Sequence, residues 1–246
     1  MPPGIVAAYR PKLWRPRAPA GVDLVTGLVS HWSIHEGSGT SVTDSVSGHT
    51  MTLGDATGWS DDDYNFTVNS SATRTGVVTH HADFNFGTAC SVFLWVTASP
   101  VVGRWIITRY QTVSGPNVAW LIGTDGSTGE RIRIGVHQDT DGMGPNKDYT
   151  GSQVIADGTP HSVGWRWSSG VLDLFVDGEK DTSVTKTVDN AFTTIANSTQ
   201  DIRFCGLSSS AAPFDSSGLA GIYSEAYMYN VAKADAVFAA LHAFGP

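Results

Sequence analysis

From residue 27 onward, apolar and polar residues alternate with period two, the mark of strands with one face in a core and the other in water. In RIRIGVH (131–137), Ile132, Ile134 and Val136 fall on one face and Arg131, Arg133 and His137 on the other. In HSVGWRWS (161–168), Val163, Trp165 and Trp167 oppose Ser162, Gly164 and Arg166, and in VLDLFVDG (171–178), Leu172, Leu174 and Val176 oppose Asp173 and Asp177. Further strand-like runs lie near 28–34, 90–97, 104–110, 117–123, 201–207 and 219–229. Asp-Gly steps at 125–126, 157–158 and 177–178 mark turns. One run differs. CSVFLWVT (90–97) is apolar on both faces, with Val92, Leu94 and Val96 against Phe93 and Trp95, which predicts a central strand covered on both sides. The only predicted helix is near 232–243, where Ala234, Phe238 and Leu241 keep helical spacing. Roughly ten strands with short turns predict an all-β, two-sheet antiparallel sandwich.

Residues 1–22 break this pattern. Prolines at 2, 3, 11, 16 and 19 predict an extended Pro-rich arm, leaving 23–246 as a single domain. The arm carries Arg10, Lys12, Arg15 and Arg17 and no acid, four positive charges in a chain of net charge −8, so the rest carries −12. An acidic body argues against nucleic acid, which needs clustered Lys and Arg. A basic arm bearing Tyr9, Leu13 and Trp14 points instead to docking on an acidic surface, a partner or another copy of the chain. No run of about eighteen apolar residues is present to span a membrane, and no signal peptide is apparent, so the expected product is made in the cytoplasm. Cys90 and Cys205 are too few for a disulfide framework or a zinc site; the favoured reading is two buried thiols, with a single bridge as the alternative.

Four stretches in order resemble the LamG-like, concanavalin A-type jelly-roll family. GLVSHWSIHEGSGTSVTDSVSG (27–48) is similar to its opening strand and loop, and CSVFLWV (90–96) to its Trp-bearing strand. DGTPHSVGWRWSSGVLDLFVDG (157–178) resembles its long hairpin, with Pro160 where Trp is usual, and GLAGIYSEAYMYNVAKADAVFAAL (218–241) its closing segment. The closing match departs at Ser224, where the family often has Asp. The resemblance covers about residues 27–243. It implies that Trp32 and Trp95 fill a two-sheet core and that the terminal helix caps an open end of the sandwich. It also raises the prospect of a structural calcium, for which HQDTDGMGPNKD (137–148) offers Asp139, Asp141, Asn146 and Asp148.

Catalytic patterns are missing. Sandwich glycosidases place two carboxylates on one strand face, whereas the four glutamates here (Glu36, Glu130, Glu179, Glu225) have no acid within four residues along a strand. His31 and His35 lie roughly 13 Å apart if extended, too far for one metal ion, and read as surface histidines. The closing strand offers a binding face instead. Tyr223, Tyr227 and Tyr229 share a face with Glu225, opposite Ile222, Ala226 and Met228, and form either a sugar-stacking platform or a contact surface. Trp105 and Trp120 are weaker candidates of the same kind.

The sequence therefore predicts a non-catalytic structural or interaction protein. Bacteriophage LamG-like proteins have a similar arm and opening, which implies a virion component such as a capsid decoration, fibre or tail adhesin, with other virion proteins or its own copies as partners. The alternative is a cellular or secreted lectin-like module that binds glycans. Deleting residues 1–22 is expected to dissolve any arm-dependent assembly, measured by light scattering after size exclusion; an unchanged assembly that keeps every partner removes the docking role.

Overall fold

A computed structural model describes residues 19–60, 63–68, 73–98, 100, 105–111, 117–125, 130–138, 146–206 and 218–246. Among them the chain forms β1 (Leu28–Ser33), β2 (Ser41–Val42), β3 (Met51–Leu53), β4 (Trp59–Ser60), β5 (Asp63–Val68), β6 (Thr73–Arg74) and β7 (Gly76–Val78). A 3-10 turn, Ala82–Phe84, precedes β8 (Ala89–Ala98), β9 (Trp105–Gln111), β10 (Asn117–Thr124), β11 (Arg131–His137) and β12 (Asn146–Val154). There follow β13 (Pro160–Ser168), β14 (Val171–Val176), β15 (Glu179–Lys180), β16 (Thr185–Asp189), β17 (Ile202–Phe204), β18 (Gly221–Tyr229) and the single helix α1 (Asp235–Ala243).

The strands make two antiparallel sheets packed face to face. The first runs β15-β14-β13-β8-β18-β5-β4, with β1 also on β18 and β6 on β5; the second runs β16-β12-β11-β10-β9-β17-β7-β3-β2. The all-β sandwich expected from the alternation is present. No described helix is long and apolar enough to cross a membrane.

The main core lies between the sheets. Trp32, Trp120, Trp165 and Trp167 are fully buried there, with Phe66, Phe84 and Phe204. Strand β8 lies between β13 and β18 and is buried on both faces, as its composition predicts. Val92, Leu94 and Val96 join the inter-sheet core, while Phe93 and Trp95 face outward into a second cluster with Phe175, Tyr229, Val237, Phe238 and Leu241. This corrects two expectations. Trp95 belongs to the outer cluster, where it stacks on His242 at 5.0 Å, and α1 covers the outer face of the first sheet instead of capping an open end. The reason is β8 itself: its outward aromatics need a lid, and the amphipathic helix supplies one. Phe238 stacks on Phe175 at 3.7 Å, and Gly164 makes room, since a Cβ there would come within 2.9 Å of Phe238 and 2.7 Å of the Val92 carbonyl. Arg166 ties the helix start down, donating to Asp235 at 2.7 Å and to the Lys233 carbonyl at 2.8 Å.

The hairpin at Asp177–Gly178 has positive φ at both residues (51° and 79°), which suits Asp-Gly between β14 and β15. Cys90 and Cys205 are buried free thiols. Trp120, an expected binding aromatic, is instead in the core, because β10 turns it inward opposite Val136. Strand β12 lies outside the strand-like runs read from the alternation. Its inward positions hold Lys147 and Tyr149, both bonded to Asp189, so the strand lacks the apolar alternation that marks its neighbours.

Truncating the lid is expected to be costly. Phe238→Ala should destabilise the fold by about 3–5 kcal/mol, and Gly164→Ala by about 1–3 kcal/mol through overpacking. Urea denaturation reads both; midpoints equal to the native protein's would show that the lid adds nothing.

Candidate functional site

The expected tyrosine face does not form as a unit. Strand β18 pairs with β8 along its length but changes partner on its other edge, from β5 at Gly221–Tyr223 to β1 from Glu225 onward. At that junction β18 advances three positions, from Tyr223 to Ala226, while β8 moves two, from Val96 to Leu94, a bulge that shifts the parity of the faces. Tyr223 consequently points into the inter-sheet core, stacked on Phe66 at 4.6 Å, while Glu225, Tyr227 and Tyr229 point outward. Tyr229 is buried under α1 and donates to the Leu24 carbonyl at 3.2 Å. Only Glu225 and Tyr227 remain near the surface.

Around Glu225 the fold assembles a polar cluster. Strand β1 places Ser33 opposite Glu225 and His31 opposite Tyr227, so His31, Ser33 and the following His35 extend one polar row, with Trp32 and Ile34 turned into the core. His31 Nε2 lies 2.5 Å from Glu225 Oε2, Ser33 Oγ donates to Oε1 at 2.9 Å, and His35 Nε2 lies 3.5 Å from Oε1. His35 Nδ1 reaches Asp63 at 2.9 Å, and the His31 ring stacks on Tyr227 at 4.2 Å. Burial by itself would raise the Glu225 pKa, but hydrogen bonds from His31, His35 and Ser33 outweigh it and hold the carboxyl at about 2. The hydrogen bond to Glu225 raises the pKa of His35. His31 and His35, read as surface histidines, are partly exposed (22% and 30%) and meet on one carboxylate. The recoverable signal was the His-Ser-His row at alternate positions.

A second polar face lies on the outer side of the second sheet. Trp105, Gly123 and Arg133 are directly opposite one another on β9, β10 and β11. The middle residue has no side chain, so Arg133 crosses over it and lies 5.8 Å above the partly exposed Trp105 ring. Beside it, Leu121 leans over Gly135, opposite Asp148. Arg133 holds both oxygens of Asp148, through Nε at 2.9 Å and through Nη2. That bond raises the pKa of the guanidinium, and Asp125 adds to the effect. The result is an aromatic ring, a fixed guanidinium–carboxylate pair and a low apolar floor on one sheet face.

This arrangement also bears on the calcium expectation. Asn146 and Asp148 lie on β12, with Asp148 engaged by Arg133 and Asn146 Oδ1 accepting from Asn190 at 3.3 Å. Both thus have partners within the protein; Asp139 and Asp141 lie outside the described residues, as do Tyr9, Arg10, Lys12, Leu13, Trp14, Arg15 and Arg17 of the arm. A third polar region is a groove of about 480 Å³ between the sheet edges, lined by Lys147, Lys180, Lys186, Asp173, Asp181 and Asp189. Its charges pair internally, Lys147 and Lys186 with Asp189 and Lys180 with Asp173.

The described residues form a two-sheet antiparallel sandwich with aromatic and charged groups on its outer faces. No family model matches the chain, and no curated protein matches it. Solved structures do resemble it. Trypanosoma rangeli sialidase in complex with sialic acid superposes with TM-score 0.62 at 15% identity, over 88% of this chain and 32% of that one. The binding domain of botulinum neurotoxin DC in complex with SialylT gives 0.64 at 13% identity, over 89% of this chain and 51% of that one. The binding domain of Paraclostridial mosquitocidal protein 1 gives 0.64 at 12% identity, over 88% and 52%. The chain thus spans about a third of the sialidase and about half of the toxin domains, and the likeness shows a shared jelly-roll sandwich fold.

The Glu225 cluster predicts a pH response. Glu225 has its pKa lowered from 4.5 to about 2, so its contribution to stability is present above pH 4.5 and lost as the pH falls towards 2. The raised pKa of His35 contributes stability below pH 6.5 that is lost as the pH rises through its folded-state value. Glu225→Gln should cost about 1–3 kcal/mol between these limits and flatten both slopes. Thermal unfolding from pH 2 to 9 tests this; parallel profiles for the two proteins would discard the assignment.

Proposed function

We propose that this chain is a non-catalytic carbohydrate-binding module whose ligand lies on the Trp105–Arg133–Asp148 face. The observation that carries the reading is the pairing of a partly exposed indole with a bidentate guanidinium–carboxylate pair above a low floor. A sugar presents an apolar C–H face suited to an aromatic ring, together with hydroxyls that both accept and donate hydrogen bonds. Arg133 supplies donors and Asp148 acceptors, already oriented by each other, so little ordering cost falls on binding.

Two of the similar folds were solved with ligands, sialic acid in the sialidase and SialylT in the toxin domain, which adds support for a glycan ligand. The non-catalytic part of the reading is supported by the sequence pattern, in which none of the four glutamates has a second acid within four residues along a strand. The basic arm of residues 1–22 favours a compatible refinement, in which the module is carried on a larger assembly such as a virion and serves there as an adhesin.

A glycan array that includes sialylated and neutral oligosaccharides tests the proposal. Binding is expected for the native chain, weakened roughly tenfold or more in Trp105→Ala and Arg133→Ala, and kept in Glu225→Gln. No glycan above background, or equal binding by the Trp105 variant, would overturn the placement of the site.

A further inference from the structure

A different cluster lies where the loop before β3 meets the 3-10 turn Ala82–Phe84. His49 Nε2 stands 2.9 Å, and His81 Nδ1 3.1 Å, from one oxygen of Asp83. All three donor atoms lie within 4.8 Å of one another. Two ligands held at ~2.0–2.1 Å by one tetrahedral zinc ion stand roughly 3.3 Å apart, so small side-chain rotations bring this set to coordinating distance. Among the described residues the ion-pair partners of Asp83 are these two histidines, with no Lys or Arg. His81 Nδ1 also accepts the Asp83 N–H at 3.3 Å, so the side chain caps the turn that carries both residues.

The set is also preorganised. The His49 N–H donates to Asp44 at 3.1 Å, and its carbonyl accepts from the buried Trp32 indole at 2.7 Å. Its ring packs on Phe84 at 5.0 Å. The turn that carries His81 and Asp83 closes with a Phe84 N–H bond to the His81 carbonyl at 3.2 Å, and the buried Arg109 guanidinium grips the Phe84 carbonyl from beneath. Backbone anchored in the core thus aims two imidazoles and a carboxylate at a common point. His81 and Asp83 are about half exposed (51% and 45%), so a fourth ligand would come from solvent.

We infer that His49, His81 and Asp83 form a binding site for a divalent transition ion of the zinc type, with one position open to water. Two imidazoles and one carboxylate suit zinc; calcium prefers six to eight oxygens. The ion would tie the loop before β3 to the turn before β8 and leave a position for an external ligand.

The test is zinc titration calorimetry on the full, tag-free chain after chelator treatment, with His81→Ala and Asp83→Asn as variants. Both changes are at exposed side chains that should leave the fold intact, which circular dichroism checks. One zinc per native chain is expected, with affinity reduced at least tenfold in either variant. Zinc at a hundred times its dissociation constant should also raise the native Tm by roughly 5–10 °C, and calcium should not. Absence of stoichiometric binding leaves an ordinary His–Asp–His hydrogen-bonded group and overturns the inference. Equal affinity in the variants places the zinc elsewhere and overturns it equally.

Discussion

Strand β8 must be covered on both faces, and the architecture follows from that requirement. A ten-residue strand with Val92, Leu94 and Val96 on one side and Phe93 and Trp95 on the other gains nothing from a single partner layer. The second sheet buries one row. Helix α1, helped by Val22, Leu24 and Leu28 from the start of the domain, buries the other. The first sheet is therefore the middle of three layers, and most of its outer surface is closed to ligands.

What remains open on that sheet is the strip beyond the lid, and there the chain places charge. The bulge in β18 coincides with the change of neighbour from β5 to β1. An extra residue at the junction sends Tyr223 inward and Glu225 outward, and brings histidines from β1 and its extension within reach of one carboxylate. A carboxylate that is four-fifths buried needs such partners, because its desolvation is repaid only by close, charged hydrogen bonds. The outer side of the second sheet carries Trp105 and the Arg133–Asp148 pair. The presence of Gly123 between Trp105 and Arg133 lets the two side chains meet.

The sequence by itself determined the two-sheet sandwich, the double-sided strand, the Asp177–Gly178 turn and the C-terminal helix. Each follows from periodicity or turn chemistry that is local and repeated. It also marked Trp105 and Glu225, since an aromatic or acid that departs from a core pattern is visible in one strand. Strand β12 stayed hidden because its inward face carries Lys147 and Tyr149, whose burial is balanced by Asp189 on β16, a partner no local pattern reveals. Only the tertiary structure decided that Tyr223 is core and Tyr227 is surface, because a bulge inverts parity without a residue type to announce it. The same holds for His31 and His35 on Glu225, and for His49 beside His81 and Asp83. These groups meet across strand pairs and loops distant in sequence, and such meetings are set by register and packing, not by spacing along the chain.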